Sequence, residues 1–283
     1  MLKKQPRSFR ALVDRGLTLL ASLALILTLA PLVLVLIYVL IKGWGRLNLD
    51  LLTQLPPPPG YRDGGLANAL LGTLIVVGLA AAMALPVGIL AAVYLSEFSR
   101  SQTLSRWIRF ATNILSGVPS IIIGVFVYGL LVRTQITGYS ALAGAVALAI
   151  LMLPTVIRTT DEALQLVPQD LRWASLGSGA SDSQTIVRVV LPAAAPAIAT
   201  GSTLAIARAA GETAPLIFTA LFSLYWPGRL FEPMATLSVL IYNFATMPFQ
   251  PQQELAWAGA LILVMLVLLS SLLARWVTHN RMA

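Results

Sequence analysis

Gly16-Leu-Thr-Leu-Leu-Ala-Ser-Leu-Ala-Leu-Ile-Leu-Thr-Leu-Ala-Pro-Leu-Val-Leu-Val-Leu-Ile-Tyr-Val-Leu-Ile41 runs for 26 residues without a charge. As a helix it rises about 39 Å, more than the roughly 30 Å of hydrocarbon in a bilayer. Lys3, Lys4, Arg7, Arg10 and Arg15 precede it, as basic residues precede a signal peptide. A cleaved signal has an apolar stretch of only about 7–15 residues, so this one reads as a retained membrane span. Pro31 in its middle predicts a kink.

Outward from that run, charged residues bound five more. The second lies within Gly64–Ser96, with the span itself at Leu70–Leu95. The third lies within Phe110–Val132 and the fourth within Thr134–Ile157. The fifth begins near Pro196 and runs to about Leu224, and the sixth lies within Leu255–Ala274. The composition agrees: 58% of the residues are hydrophobic and 11% charged, where a soluble domain carries about 25% charged. The fold class is therefore an all-α integral membrane protein with six transmembrane helices. It divides into an N-terminal tail (1–15), one membrane domain (16–278) and a short C-terminal tail (279–283). The absence of cysteine excludes disulfides and thiolate metal sites. No internal repeat is visible, so an inverted-repeat secondary transporter gains no support.

The net charge of +8 would suggest nucleic acid in a soluble protein. Here its distribution matters more. With six spans, thirteen Arg and Lys side chains fall on the side of the termini. Only Lys42, Arg46, Arg62, Arg133 and Arg229 fall on the other. By the positive-inside rule both termini are expected in the cytoplasm.

The longest cytoplasmic connection, about 159–192, carries the start and stop signals of two short helices. Pro168 fits a first helical turn, with Asp170 near the positive end of its dipole. Gly177 and Gly179 can end that helix in left-handed conformations. Ser181 and Gln184 form a capping box for a second helix, which Leu191-Pro192 is expected to stop. An elbow of small residues suits the groove of another protein. The same pattern also suits an interfacial hairpin with no partner, and the pattern alone leaves both open.

The order of residues in this elbow resembles the coupling segment of ABC-importer permeases, which reads Glu-Ala-Ala, then Gly, then Ile-x-Leu-Pro. Trp173-Ala174-Ser175 stands at the Glu-Ala-Ala place, Gly179 is the glycine and Val189-Val190-Leu191-Pro192 the end. The glutamate is missing and the second alanine is serine. Asn68 to Thr73, Ser116 to Ser120, Leu153-Pro154 to Arg158 and Ala207 to Pro215 resemble the phosphate-specific transport permeases. The Gly211-Glu212-Thr213-Ala214-Pro215 run is closer to the PstA-type than to the PstC-type subunit. The resemblance implies a type I ABC-importer permease fold in a bacterial inner membrane. It implies a PstC-type permease partner, two ATP-binding subunits and an external phosphate-binding protein. The elbow residues Trp173, Ala174, Ser175, Gly177, Gly179 and Ala180 would meet the ATPase.

Arg208 and Glu212 stand inside the fifth run, four residues apart. Arg208 is 12 residues beyond Pro196, about 18 Å along a helix and so near the bilayer centre. A lone charge there is costly and must face a partner, the bundle interior or water. The pair either holds helices together or marks an anion path, since a guanidinium matches the bidentate geometry of phosphate oxygens. Asn68 and Thr73 either donate hydrogen bonds to a passing oxyanion or bond a neighbouring helix. Arg158 either snorkels to lipid headgroups or serves the exit path. Ser116, Gly117, Pro119, Ser120 and Gly124 predict a kink or a close helix contact. His279 and the scattered Met residues receive no role.

The chain has no Gly-x-x-x-x-Gly-Lys-Ser/Thr loop, so it is not expected to hydrolyse ATP. ATP and Mg would be held by partner subunits, and no cofactor is expected in this chain. The expected function is a permease subunit of an ATP-driven importer of inorganic phosphate. Alternatives are the same architecture for molybdate or sulfate, a stand-alone secondary transporter or channel, and a membrane-embedded enzyme.

Overall fold

Hydrocarbon offers no hydrogen-bond partners, so a membrane chain of this composition must close its backbone bonds within helices. The structure, a computed structural model, describes residues 9–98 and 102–279 and contains no strand among them. The basic residues Lys3, Lys4, Arg7, Arg100 and Arg281 lie outside the described residues.

α1 (Phe9–Trp44) continues through Pro31 and is exposed over nearly all of its length. It meets the rest of the chain near its C-terminal end, where Tyr38 stacks edge-on against Trp257 at 5.0 Å. A short α2 (Leu49–Thr53) follows, capped by the Asn48 side chain, which accepts from the Leu51 N–H. α3 (Ala67–Glu97) is a full span. α4 (Gln102–Gly117) and α5 (Ser120–Val127), the latter prolonged by a π turn over Tyr128–Val132, form a broken pair bent by 105°. The third span expected over Phe110–Val132 is thus not one rod. Pro119 lacks an N–H and disfavours helix at Val118, so the chain turns there. Among the described residues five helices are long and apolar enough to cross a membrane, and the count reaches six only when the bent pair is taken as one span.

α6 (Ala141–Gln165) begins seven residues later than the expected Thr134 and ends eight beyond Ile157. The Ser140 side chain caps its start by accepting from the Ala143 N–H. Arg158, Asp161 and Glu162 lie in its last turns, where each has an ion-pair partner. α7 (Gln169–Gly177) is the first arm of the elbow. α8 (Asp182–Thr185) is not a separate second arm stopped by Pro192. It passes through a π turn over Ile186–Val190 directly into α9 (Leu191–Gly211). The wider turn lets the Leu191 N–H bond to the Ile186 carbonyl just before the proline, whose missing N–H then falls in the first turn of α9. α9 stops at Gly211, well short of the expected Leu224, and a short α10 (Ala214–Thr219) follows. α11 (Leu237–Ala245) and α12 (Gln250–His279) complete the bundle.

α3, α6 and α9 share a core dominated by small side chains: Val76, Ala80, Ala84, Ala145, Leu148, Met152, Ala205 and Ala209. Lipid tails are as apolar as leucine, so helices gain by close backbone approach, which small residues allow. A second cluster of Leu51, Leu66, Leu237, Leu240, Phe244 and Leu255 joins α2, α11 and α12 at the far end from the elbow. Gln252 locks the proline-rich loop there, its side chain donating to the Pro58 carbonyl (2.9 Å) and accepting from the Gly60 N–H (3.1 Å).

Gly72 lies where α3 touches the segment before α11, and any Cβ would overlap the Ala235 carbonyl oxygen. Gly78 on the same helix faces open space. Gly72→Ala should lower stability by about 1–3 kcal/mol through overpacking. Gly78→Ala should stay within about 0.5 kcal/mol of the parent. Thermal unfolding of the two variants in detergent, side by side, measures the difference.

Candidate functional site

The end of α9 is a break inside the bundle. Arg208 occupies the last helical turn, and Glu212, the residue after the last turn, has extended backbone (φ −70°, ψ 127°). Pro215 in the first turn of α10 suits the restart of the helix beyond this gap. Ser238 of α11 donates to the Glu212 carbonyl at 2.8 Å, satisfying a backbone acceptor that the break exposes. Arg208 Nε and Glu212 Oε1 are 3.7 Å apart. The two side chains line a narrow crevice with Leu151, Met152 and Thr155, at the midpoint of α6. The Arg208 side chain is 64% exposed and that of Glu212 17%. The carboxylate is thus tucked into the bundle, and the guanidinium fork faces outward with donors to spare.

α10 packs against α5 at this level. At Gly124 of α5 a Cβ would press on the backbone of Pro215, so two interrupted helices meet by direct backbone approach. The close contact expected from Gly124 and the turn at Pro119 are both parts of this arrangement. Interrupted helices are a recurrent architecture for ion and substrate sites in transporters.

Asn68 and Thr73 do not join Arg208. Asn68 is fully buried. Its amide donates to the Ser223 (2.8 Å) and Tyr225 (3.2 Å) carbonyls, and its oxygen accepts from the Ala69 N–H. Thr73 donates to the Ala69 carbonyl and accepts from the Leu237 N–H at 2.8 Å. Both side chains spend hydrogen bonds on tying α3 to the segments around α11. Arg158 also stands apart, in a cleft of about 320 Å³ near the elbow. There it pairs with Glu162 at 3.1 Å, while Arg109 pairs with Asp161 at 2.8 Å and Gln165 donates to the same carboxylate.

The elbow takes its shape from the residues read in it. The Gly179 N–H bonds to the Leu176 carbonyl and the Ala180 N–H to the Ser175 carbonyl, the double closure of a Schellman motif. That closure needs a left-handed residue, and Gly179 has φ +91°. Gly177 stays helical as the last residue of α7. The Ser181–Gln184 capping box forms as expected. No residue of α7 is buried, and Leu171, Trp173 and Leu176 present apolar surface.

Two residues outside the expected set hold this exposed helix in place. Arg172 pairs with Glu97 at the end of α3, and its Nη2 donates to the Leu164 carbonyl of α6 at 2.9 Å. The Arg172 and Glu97 side chains are only 14% and 8% exposed. Ser175 and Thr185 share a hydrogen bond of 2.8 Å that braces the two arms. Below them Val93, Leu164, Val167, Ile186, Val190 and Ile198 form a small core joining α3, α6 and α9. No local pattern reveals a partner 75 residues away in sequence. The one hint was a lone glutamate closing an apolar run.

Residues 84–281 match the model of the family described as "Binding-protein-dependent transport system inner membrane component". The chain is 45% identical over 234 residues to the phosphate transport system permease protein PstA of Xylella fastidiosa Temecula1, covering 83% of this chain and 81% of that protein. It is 40% identical over 273 residues to the protein of the same name from Yersinia pestis, covering 96% and 92%. Among solved structures it resembles a chain of a bacterial ABC transporter importing alginate (TM-score 0.65, 18% identity, 95% and 97% covered). It also resembles a chain of the inward-facing MetNI methionine transporter (TM-score 0.62, 20% identity, 76% and 95% covered). At these identities the two solved structures establish the fold.

Arg172→Ala leaves the Glu97 carboxylate buried and unpaired, which should cost about 3–5 kcal/mol locally. α7 should then loosen, and chymotrypsin should cut after Trp173 at least about tenfold faster in the detergent-purified chain. The neutral pair Glu97→Gln with Arg172→Gln should fall between the parent and the single variant.

Proposed function

We infer the role of the chain from its kinship: it belongs to the family of binding-protein-dependent transport system inner membrane components, and within that family it is of the PstA type. It is a multi-pass inner-membrane permease subunit of an ATP-driven importer, and its substrate is inorganic phosphate. Beside it we place a PstC-type permease. Two ATP-binding subunits dock at α7, and an external binding protein delivers phosphate at the far end. Both termini then lie in the cytoplasm, as the thirteen-to-five excess of Arg and Lys supports. Nucleotide and Mg belong to the ATP-binding subunits.

The observation that carries this reading is α7 itself: a helix with no buried residue, bearing Leu171, Trp173 and Leu176, rooted in α3, α6 and α9 beneath it. An amphipathic helix that leaves its apolar side chains exposed is suited to dock in the hydrophobic groove of a partner. Nucleotide binding in the partner pushes this helix, and the push reaches α9, whose other end carries Arg208. The cycle shifts the population between states open to either side. When the path opens, Arg208 offers its fork to phosphate oxygens as a bidentate, permanently charged donor. Glu212 balances that charge when the path is empty. No bond is made or broken in the cargo.

Reconstitution with the partner subunits in proteoliposomes tests the proposal. Phosphate-loaded binding protein should stimulate ATPase activity. Gly179→Val strains the left-handed turn by about 1–2 kcal/mol, and together with Trp173→Ala it should weaken that stimulation severalfold while the complex still assembles. Arg208→Gln should reduce radiolabelled phosphate uptake at least about tenfold, the effect of one charge-assisted contact. Normal uptake by an assembled Arg208→Gln transporter would refute the role of the pair.

A further inference from the structure

At the end of the bundle opposite the elbow, a polar cleft of about 690 Å³ opens between the end of α1, the loop before α3 and the start of α12. We propose that this cleft binds a phosphate-class oxyanion. It shares no lining residue with the Arg208 crevice, and it does not depend on what the importer carries.

The electrostatics come first. Lys42, Arg46 and Arg62 line the cleft, and Glu254 is the one carboxylate among its lining residues. The cleft therefore holds a surplus of two positive charges. Glu254 is already shared: one oxygen lies 3.7 Å from Arg46 Nε and 3.5 Å from Arg62 Nη2, and the other accepts from Gln250 at 3.3 Å. Lys42 has no carboxylate partner among the described residues, and its ammonium lies 5.7 Å above the Tyr38 ring.

Hydrogen bonding gives the second, independent sign. The Arg46 side chain is only 14% exposed. Its Nη2 donates to the Arg62 carbonyl at 2.6 Å, but its buried Nε has no hydrogen-bond acceptor among the described residues. A buried guanidinium N–H is seldom left unpaired. An oxyanion seated between Arg46, Arg62 and Lys42 cancels the surplus charge, and it supplies the missing acceptor once the Glu254 side chain moves aside from the Arg46 Nε. The first turn of α12 also faces the cleft, with its N-terminal dipole favouring an anion.

The setting narrows the source of the phosphate group. The cleft begins where the apolar run of α1 ends, beside Trp257 and the Tyr38 that stacks on it. Aromatic rings at that position mark headgroup depth. The oxyanion is therefore either the headgroup phosphate of an anionic phospholipid or free inorganic phosphate at the mouth of the importer, and the chemistry of recognition is the same.

Lys42 and Arg62 are exposed enough to replace without disturbing the bundle, and Lys42 is the only lysine after residue 4. The assembled importer, stripped of lipid in dodecyl maltoside, is titrated with phosphatidylglycerol in one arm and inorganic phosphate in the other. Acylation of Lys42 is read by peptide mass spectrometry against a chloride control. Either ligand should protect Lys42. In parallel, Lys42→Gln with Arg62→Gln should weaken retention of the protecting ligand about tenfold, the loss expected for charge-assisted contacts. Protection by phosphatidylglycerol alone assigns the site to lipid, and protection by inorganic phosphate alone assigns it to the free ion. Equal acylation in phosphate, phosphatidylglycerol and chloride overturns the proposal, as does undiminished retention of both ligands by the double variant.

Discussion

A backbone group stranded in hydrocarbon has nothing to bond to, and each irregular part of this chain is arranged around that constraint. Where α9 ends at Gly211, Ser238 reaches across to the Glu212 carbonyl. Where the chain returns toward α11, Asn68 holds the Ser223 and Tyr225 carbonyls and the Thr73 hydroxyl receives the Leu237 N–H. The polar side chains on α3 are thus fastenings for the loops that let α9 and α10 stop and start inside the protein.

The same economy links the two ends of the molecule. α7 and the turns that flank it are exposed, yet Val167 before it and Thr185 and Ile186 after it are buried. α6 leads into it and α8 leads out through the π turn into α9. The buried Arg172–Glu97 pair adds α3 as a third anchor. Force applied to α7 therefore enters three helices that share one core of alanine and valine. Close-packed small residues leave little space to absorb a displacement, so the helices move as bodies.

Sequence exposed the large features for a physical reason: crossing a bilayer demands long uncharged runs, and turns demand particular residues. The run at Gly16–Ile41, the Ser181–Gln184 box and the left-handed Gly179 all follow from rules acting over a few neighbours. The breaks were harder. A half-helix buried in protein is as apolar as a full span, so hydropathy cannot separate Phe110–Val132 from a single rod. The glycines and prolines at Gly117, Pro119, Gly211 and Pro215 mark the interruptions, but similar residues at Pro31, Pro86 and Pro154 sit within continuous helices. Asn68 looked available because its partners are carbonyls more than 150 residues away. Arg172 and Glu97 were invisible as a pair for the same reason.

The π turn over Ile186–Val190 inserts one extra residue into the helix between the elbow and Arg208. A residue in an α-helix advances about 100° around the axis and about 1.5 Å along it. The angular phase of Arg208 relative to α7 is consequently set by this local overcount. Were the turn to relax into regular helix, α9 would unscrew by roughly a quarter-turn, and the guanidinium would swing from the α6 side toward a different neighbour. The helix thus carries, next to the elbow, a place where rotation can be exchanged for a change of winding.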